Sequence, residues 1–548
     1  MTIPNRVLFT AYTPAAGTEL WVSNGTLAGT SMVKDIFPGH LGSVNASGFT
    51  QLGANVLFSA TDSTHGVELW TTNGTAAGTY MLKDILAGSG SGFTTTVNKS
   101  SLPTSLRPAG GKMVFLGTDG ANSTELWVTD GTSAGTSLLV ATDPTQSFPA
   151  PSQFAQFGTL ELFSAGDGLH HSGPDDGKHG QELWVTDGTV AGTHMLKDID
   201  PGVYASGSPQ NIVDIGGGHA VFSATFGNIG RELWVTDGTA AGTTLLKDIN
   251  PAAFQGSSPS PAIPIGSSGK AVFSALNGST GTALWVTDGT VGGTSLLKTF
   301  SRGYTSGGFA FVSSTAGGTF QALGGEILFT GSDGGTSGIG ASALWATDGT
   351  VAGTVKLSVD GVYVQGTSNG GNGFSTLGTK ELFWSGSGLS AHPWVTDGTA
   401  AGTFQLSSTA NNGDTNGFSV LGGKALFTAF GTQLWSTDGT VAGTYEITAL
   451  SSPSNFAVAN GKAIFQASDT THGVELWVSD GTFFGTGLLK DINTNTFHSS
   501  TPTGMTSVTL PCFAGGTRIA TPSGDVAVEA LRAGDIVLTA AGGTRAVR

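Results

Sequence analysis

The chain holds a single cysteine in 548 residues, Cys512, directly after Pro511. A thiol is the best side-chain nucleophile near neutral pH, and one cysteine excludes a disulfide framework. Without further context such a thiol reads as an inert buried side chain. A second concentration of reactive types lies mid-chain, where His170, His171, Asp175, Asp176 and His179 fall within one short stretch. Imidazoles and carboxylates at that density are candidate ligands for a transition metal. Their loose spacing more commonly marks a solvated polar loop. Two smaller pairs, Asp62 with His65 and Asp469 with His472, read as hairpin turn residues. Ahead of the tail there is no nucleophile–base pairing, phosphate loop or zinc-helix motif.

The elements that must position these residues are repeats. Leu-Trp-Val-Thr-Asp-Gly-Thr recurs ten times with small variations, around Trp21, Trp70, Trp127, Trp184, Trp234, Trp285, Trp345, Trp394, Trp435 and Trp477. Steps run from 41 residues (Trp394 to Trp435) to 60 (Trp285 to Trp345). Units of that size cannot bury their apolar faces alone and must stack. Each copy carries an apolar triplet ending in phenylalanine, as in Val-Leu-Phe58 and Ala-Val-Phe222, and then the Leu-Trp-Val segment. An Asp-Gly-Thr turn follows, and after it a segment such as Leu245-Leu246-Lys247-Asp248-Ile249. A further short segment precedes each triplet, as in Gly48 to Gly53. All are short, β-branched or aromatic, and bounded by Gly, Asn or Asp, which are strand and hairpin signals.

Four antiparallel strands per unit is the size of a β-propeller blade. Within Leu-Trp-Val the Leu and Val share one face and Trp takes the other. Two apolar faces suit a blade sandwiched between neighbours. The expected fold class is therefore all-β: a propeller of about ten four-stranded repeats over residues 1–510, then the start of a β-rich domain over 511–548. The first unit lacks a preceding strand, and an orphan segment, Ser499 to Val508, follows the tenth. That segment is expected to complete the first blade and close one ring, which removes both sheet edges. Two smaller rings are the alternative.

The Asp of Asp-Gly-Thr is replaced by Asn24 and Asn73 in the first two copies. Tolerance of a neutral acceptor points to turn chemistry, with repeated calcium ligation as the alternative. No other cofactor is expected. Glu19, Glu68, Glu125, Glu182, Glu232 and Glu475 precede Leu-Trp in six copies only and read as local ion-pair or edge residues.

Charge is sparse, with 11% Asp, Glu, Lys and Arg and a formal net charge of −16. Such a surface argues against nucleic acid and anionic membranes, which need Lys and Arg clusters. No apolar run is long enough to span a bilayer. The amino terminus lacks the basic and apolar regions of a secretory signal. Low lysine and abundant Gly, Thr and Ser match bacterial proteins exported without such a signal, so an extracellular or cell-surface location is expected.

The array resembles the bacterial ELWxxDGT repeat family, on the tenfold motif across about residues 7 to 492. That resemblance implies a propeller-type scaffold and no defined activity. The tail resembles the start of a Hint domain, the autoprocessing module shared by Hedgehog proteins and inteins. The resemblance rests on Pro511-Cys512-Phe513-Ala514-Gly515-Gly516-Thr517, a hairpin, and then Gly534-Asp535-Ile536-Val537. It implies that Cys512 is a nucleophile attacking the Pro511 carbonyl, an N–S acyl shift that leads to self-cleavage. In that family a later Thr and His polarise the scissile amide and protonate its leaving nitrogen. The sequence stops at Arg548 before such a block, so the tail is expected to be incomplete and unable to cleave efficiently as it stands.

The functional expectation is a secreted or surface bacterial scaffold for binding or adhesion, with a glycan, protein or extracellular matrix ligand, joined to the autoprocessing module. The alternatives are a propeller enzyme acting on polysaccharide and a structural surface array with a degenerate tail.

Overall fold

Phenylalanine and tryptophan of each repeat lie directly opposite one another on paired strands, from Phe9↔Trp21 and Phe58↔Trp70 through to Phe465↔Trp477. A one-residue slip would move every side chain of the strand to the other face, so this aromatic pair fixes the register of each unit. Their rings sit 6.3 Å apart in the first repeat and 6.4 Å in the third. Phe9, Phe58, Phe115, Phe163, Phe222, Phe273, Phe329, Phe383, Phe427 and Phe465 are all among the largest fully buried side chains. Burying one such ring stabilises by roughly 2–3 kcal/mol.

The computed structural model describes residues 5–39, 46–62, 64–86, 101, 103–119, 124–140, 150–166, 179–201, 205–251, 255–278, 281–300, 320–332, 342–359, 362, 364, 373–386, 391–411, 417–469, 471–495, 498–510, 518–521, 524–527, 536–538 and 544–546. Ten four-stranded antiparallel sheets follow one another, each a blade. Blade two is typical: Ser47–Leu52, Asn55–Thr61, Val67–Thr72 and Tyr80–Lys83, paired in that order. First strands of neighbouring blades touch, which makes them the innermost strands around the axis. Helix among the described residues is confined to single 3-10 turns, such as Gly227–Ile229.

Blade one departs from chain order, as expected. Its inner strand is Thr503–Val508, which pairs antiparallel with Arg6–Thr13, followed by Gly17–Ser23 and Ser31–Lys34. The carboxyl-terminal strand thus closes the ring.

The choice between one ring and two is decided by the cores between blades. Leu8, Leu20 and Val22 pack forward against Val56, Phe58 and Trp70 of blade two. Phe9 and Trp21, on the opposite face, pack back against Ile464, Leu476 and Leu489 of blade ten. Equivalent clusters join every consecutive pair of blades. Ten interfaces for ten blades make a single closed ring.

Candidate functional site

The Asp-Gly-Thr segment folds into the same hydrogen-bonded turn in every blade. In blade five, Asp237 Oδ1 accepts from the Thr239 N–H at 2.9 Å and the Thr239 hydroxyl at 2.7 Å. Thr239 Oγ1 accepts from the Gly242 N–H, and the Thr243 hydroxyl donates to the Thr239 carbonyl. The hydroxyl donating to Asp237 holds its carboxyl below the usual range. Asn24 accepts the same two bonds at 3.0 and 2.7 Å, so an amide oxygen serves equally. A side chain at Gly242 would run into the Asp237 carboxylate. The motif is a structural clasp, and its donors are all local.

The glutamates before Leu-Trp are not edge or ion-pair residues. Each of the six is fully buried. The carboxylates of Glu19, Glu68, Glu182, Glu232 and Glu475 accept backbone N–H groups from the segment that leaves the same blade. Glu19 takes Ile36 and Phe37, at 2.7 and 3.1 Å; Glu182 takes Ile199 and Gly207, at 2.7 and 2.6 Å. Glu232 takes Ile249 at 2.9 Å and Ser257 at 2.7 Å, and also the Ser257 hydroxyl. Buried N–H groups must be paired, and no strand partner is available where the chain crosses to the next blade. Burial pushes Glu19 and Glu182 up to about 7, against the pull of these donors. The sequence does carry a signal for this clamp: in five of the six copies an isoleucine donor stands 17 residues after the glutamate, the exception being Glu125. Where Ala283 and Ala343 replace the glutamate, the position is buried without it.

Of the mid-chain cluster, His170, His171, Asp175 and Asp176 lie outside the described residues. His179 is described, and its Nδ1 lies 3.1 Å from Asp198 Oδ2. The same placement recurs in blade two, where His65 Nε2 lies 3.9 Å from Asp84. His179 therefore belongs to a repeated position five residues ahead of the motif tryptophan, alongside His65 and His472. Among the described residues no group of three or more His, Cys, Asp or Glu could hold a metal. Asp62 and Asp469 are turn residues: Asp62 Oδ1 accepts the N–H groups of Thr64 and His65, and Asp469 repeats this with Thr471 and His472. Hydrogen bonding to these carboxylates raises the pKa of both imidazoles.

The last packed residues before the tail form a seam. Glu475 accepts from the N–H groups of Ile492 (2.8 Å) and Ser500 (2.9 Å) and from the Ser500 hydroxyl (2.6 Å). It thereby fixes the start of the closing segment. After the closing strand, Leu510 is buried in the core between blades one and two. Its N–H donates to Asn5 Oδ1 at 3.0 Å and its carbonyl accepts from Asn5 Nδ2 at 2.8 Å. A side chain at Gly74, in the clasp of blade two, would strike Leu510. The chain therefore leaves the ring on the face that carries the clasps.

Pro511 and Cys512 lie outside the described residues. Beyond them are two hairpins, Arg518–Thr521 with Gly524–Ala527 and Ile536–Leu538 with Thr544–Ala546, and the first strands of the two hairpins touch.

The inner rim is the feature that sequence reasoning missed. In blades one to five and ten, two consecutive inner-strand residues oppose the single motif phenylalanine, a β-bulge. The first of the two is Gly504, Gly48, Ser105, Gln153, Asn211 or Asn455, and each has positive φ, from 54° to 71°.

Among solved structures, a puromycin hydrolase matches with 13% identity over 69% of this chain and 57% of that one, at a TM-score of 0.28. This chain thus spans little more than half of that enzyme. The computationally designed Ika8 protein matches at 15% identity, 79% and 95% coverage and a TM-score of 0.33. The β-propeller domain of the Trilobed protease from Pyrococcus furiosus matches at 13%, 64% and 100%, and 0.28. The architecture rests on the strand order and the closed ring of cores, not on these likenesses. No curated protein matches the chain. Residues 511–548 match the family model of the Hint domain, so the chain is a ten-bladed β-propeller followed by Hint-domain sequence.

Proposed function

We propose that the chain is a ring-shaped binding scaffold joined to an autoprocessing module, and that Cys512 separates the two at the Pro511–Cys512 bond. The observation that carries this reading is the seam. Among the described residues, the propeller's last hydrogen-bonded and buried one is Leu510, and the Hint match begins at the next position. Cleavage after Pro511 releases a ring that keeps its closing strand and every core between blades.

In the proposed step the Cys512 thiolate attacks the Pro511 carbonyl carbon. A C–S bond forms, the Pro511–Cys512 C–N bond breaks, and the departing nitrogen takes a proton to become a free amine. Water then attacks the thioester, leaving a carboxylate on Pro511 and returning the thiol. The acidic, lysine-poor composition supports an extracellular or cell-surface setting.

The test is the intact mass of the full-length protein beside its Cys512→Ala variant. A fragment ending at Pro511 that accumulates slowly, and in the parent alone, is the expected result. One uncleaved mass in both, with folded protein, would count against active processing.

A further inference from the structure

We propose that the inner rim of the ring, over blades nine, ten, one and two, is a binding site for a neutral, hydroxyl-rich polymer of the polysaccharide class. The inference deepens the binding half of the reading above and does not depend on Cys512.

The argument starts at the bulges. An extra residue opposite a strand partner re-aims side chains. Here the second residue of each bulge turns onto the core: Phe49 packs tilted against Phe58 at 5.4 Å, while Phe154 stacks on Phe163 at 5.4 Å and Phe456 on Phe465 at 4.8 Å. The first residue is thereby left on the inner rim, and Gly48, Ser105, Gln153, Asn455 and Gly504 are all exposed there. Ser, Gln and Asn held in the left-handed region carry a conformational cost that local folding does not require. Glycine would satisfy the same backbone without that cost. Gln153 and Asn211 use their side chains inside the ring, Gln153 accepting from the Asn211 N–H and Asn211 donating to the Pro259 carbonyl. Among the described residues the Asn455 amide has no such bond, and it points to a contact outside the fold.

The six bulges are consecutive around the ring, from blade ten to blade five, and the two glycines are adjacent at its seam. Beside them lies a cavity of about 660 Å³ that also takes in blade nine, with Gly48, Gly504, Asn455, Thr506, Ser419 and Phe49 in its wall. Glycines permit close approach of a ligand to backbone. Asn455, Thr506 and Ser419 supply amide and hydroxyl groups that both donate and accept. The ring of Phe49 adds a partly exposed apolar surface.

The wall also says what the ligand is not. None of its residues is charged, on a protein of net charge −16, so an ionic ligand would find no counter-charge. An extended peptide would need a straight, unblocked strand edge. Bulges, together with Pro453 and Pro502 at the starts of two of these strands, blunt that edge. A neutral polyol matches what remains: amides, hydroxyls, exposed backbone and a flat apolar patch.

The experiment uses the full-length Cys512→Ala protein, so that a failure of binding and a failure of cleavage are read separately. Native gels are cast with dextran, galactomannan or alginate, and mobility is followed against polymer concentration. The expected result is retardation by a neutral polymer. Asn455→Gly, which keeps the left-handed backbone and removes only the amide, should weaken it at least tenfold. Gly504→Asn, which puts an amide side chain into the cavity, should do the same, with melting temperatures unchanged. Folded protein retarded by neither neutral polymer, or by alginate alone, would overturn the proposal. So would undiminished retardation in both variants, or capture of a labelled Thr-Val repeat peptide that either variant abolishes.

Discussion

Asn5 and Leu510 lie at opposite ends of the propeller sequence and hold each other by two reciprocal hydrogen bonds, 2.8 and 3.0 Å long. This pair fastens the end of the closing strand, which pairs with Arg6–Thr13 to complete the ring. Asn5→Ala leaves the Leu510 N–H and C=O without these partners in a half-buried site. A loss of about 1–3 kcal/mol is expected, read as a lower urea midpoint. A chain ending at Leu510 should remain a folded monomer by light scattering. One ending at Thr501, which exposes the Arg6–Thr13 edge, should self-associate.

Glu475 should behave as a clamp and not as a charge. Glu475→Ala orphans the Ile492 N–H, while the Ser500 N–H keeps the Val474 carbonyl at 3.0 Å, at an expected cost of about 1–3 kcal/mol. Glu475→Gln keeps one acceptor oxygen and should recover part of that loss. Urea unfolding of the two variants separates the outcomes; equal losses would mean that only volume matters.

Stability should fall as pH rises from about 4.5 to about 7. Burial pushes Glu19, Glu161 and Glu182 up to about 7 in the folded chain, from an ordinary glutamate value of 4.5. The folded state therefore binds more protons across that window, and its advantage is lost as pH climbs through the folded values. The raised imidazoles of His65 and His472 act in the same direction. The clasp aspartates, lowered by their threonine donors, act oppositely and only at more acid pH. Thermal midpoints between pH 5 and 8 should trace the fall. Among the described residues the carboxylate oxygens of Glu161 meet no hydrogen-bond donor. Glu161→Leu should accordingly flatten the profile and stabilise the protein at pH 8 by about 1 kcal/mol.

The clasps predict a clear order of substitutions at one turn. Asp237→Asn should change stability by less than about 0.5 kcal/mol, since Asn24 makes the same bonds natively. Asp237→Ala removes both acceptor contacts and should cost about 1 kcal/mol. Gly242→Ala drives a methyl group into the Asp237 side chain and should cost more than either. Melting temperatures with and without chelator should agree for all of them if the clasp is a hydrogen-bonded turn alone.

Much of this molecule could be read in one dimension. Phenylalanine, tryptophan and the Asp-Gly-Thr turn recur in fixed order, and each blade but the first is built from contacts within about 50 residues. The missing first strand and the orphan last one foretold closure across the Asn5–Leu510 seam. The Cys512 neighbourhood was legible for a similar reason, because its motif is contiguous. The glutamates were misread because their partners lie on a crossing segment 17 residues away, which no local pattern identifies as unpaired backbone.

Sequence alone determined the blade, its register and the strand that closes the ring, since alternation and aromatic pairing act between near neighbours. Only the tertiary structure decided that there is one ring of ten, because that depends on whether the tenth core meets the first. It also decided that Asn455 and Gln153 stand in left-handed bulges at the inner rim. Those bulges arise where two inner-strand residues must share one buried phenylalanine, a packing demand set by strands already folded together.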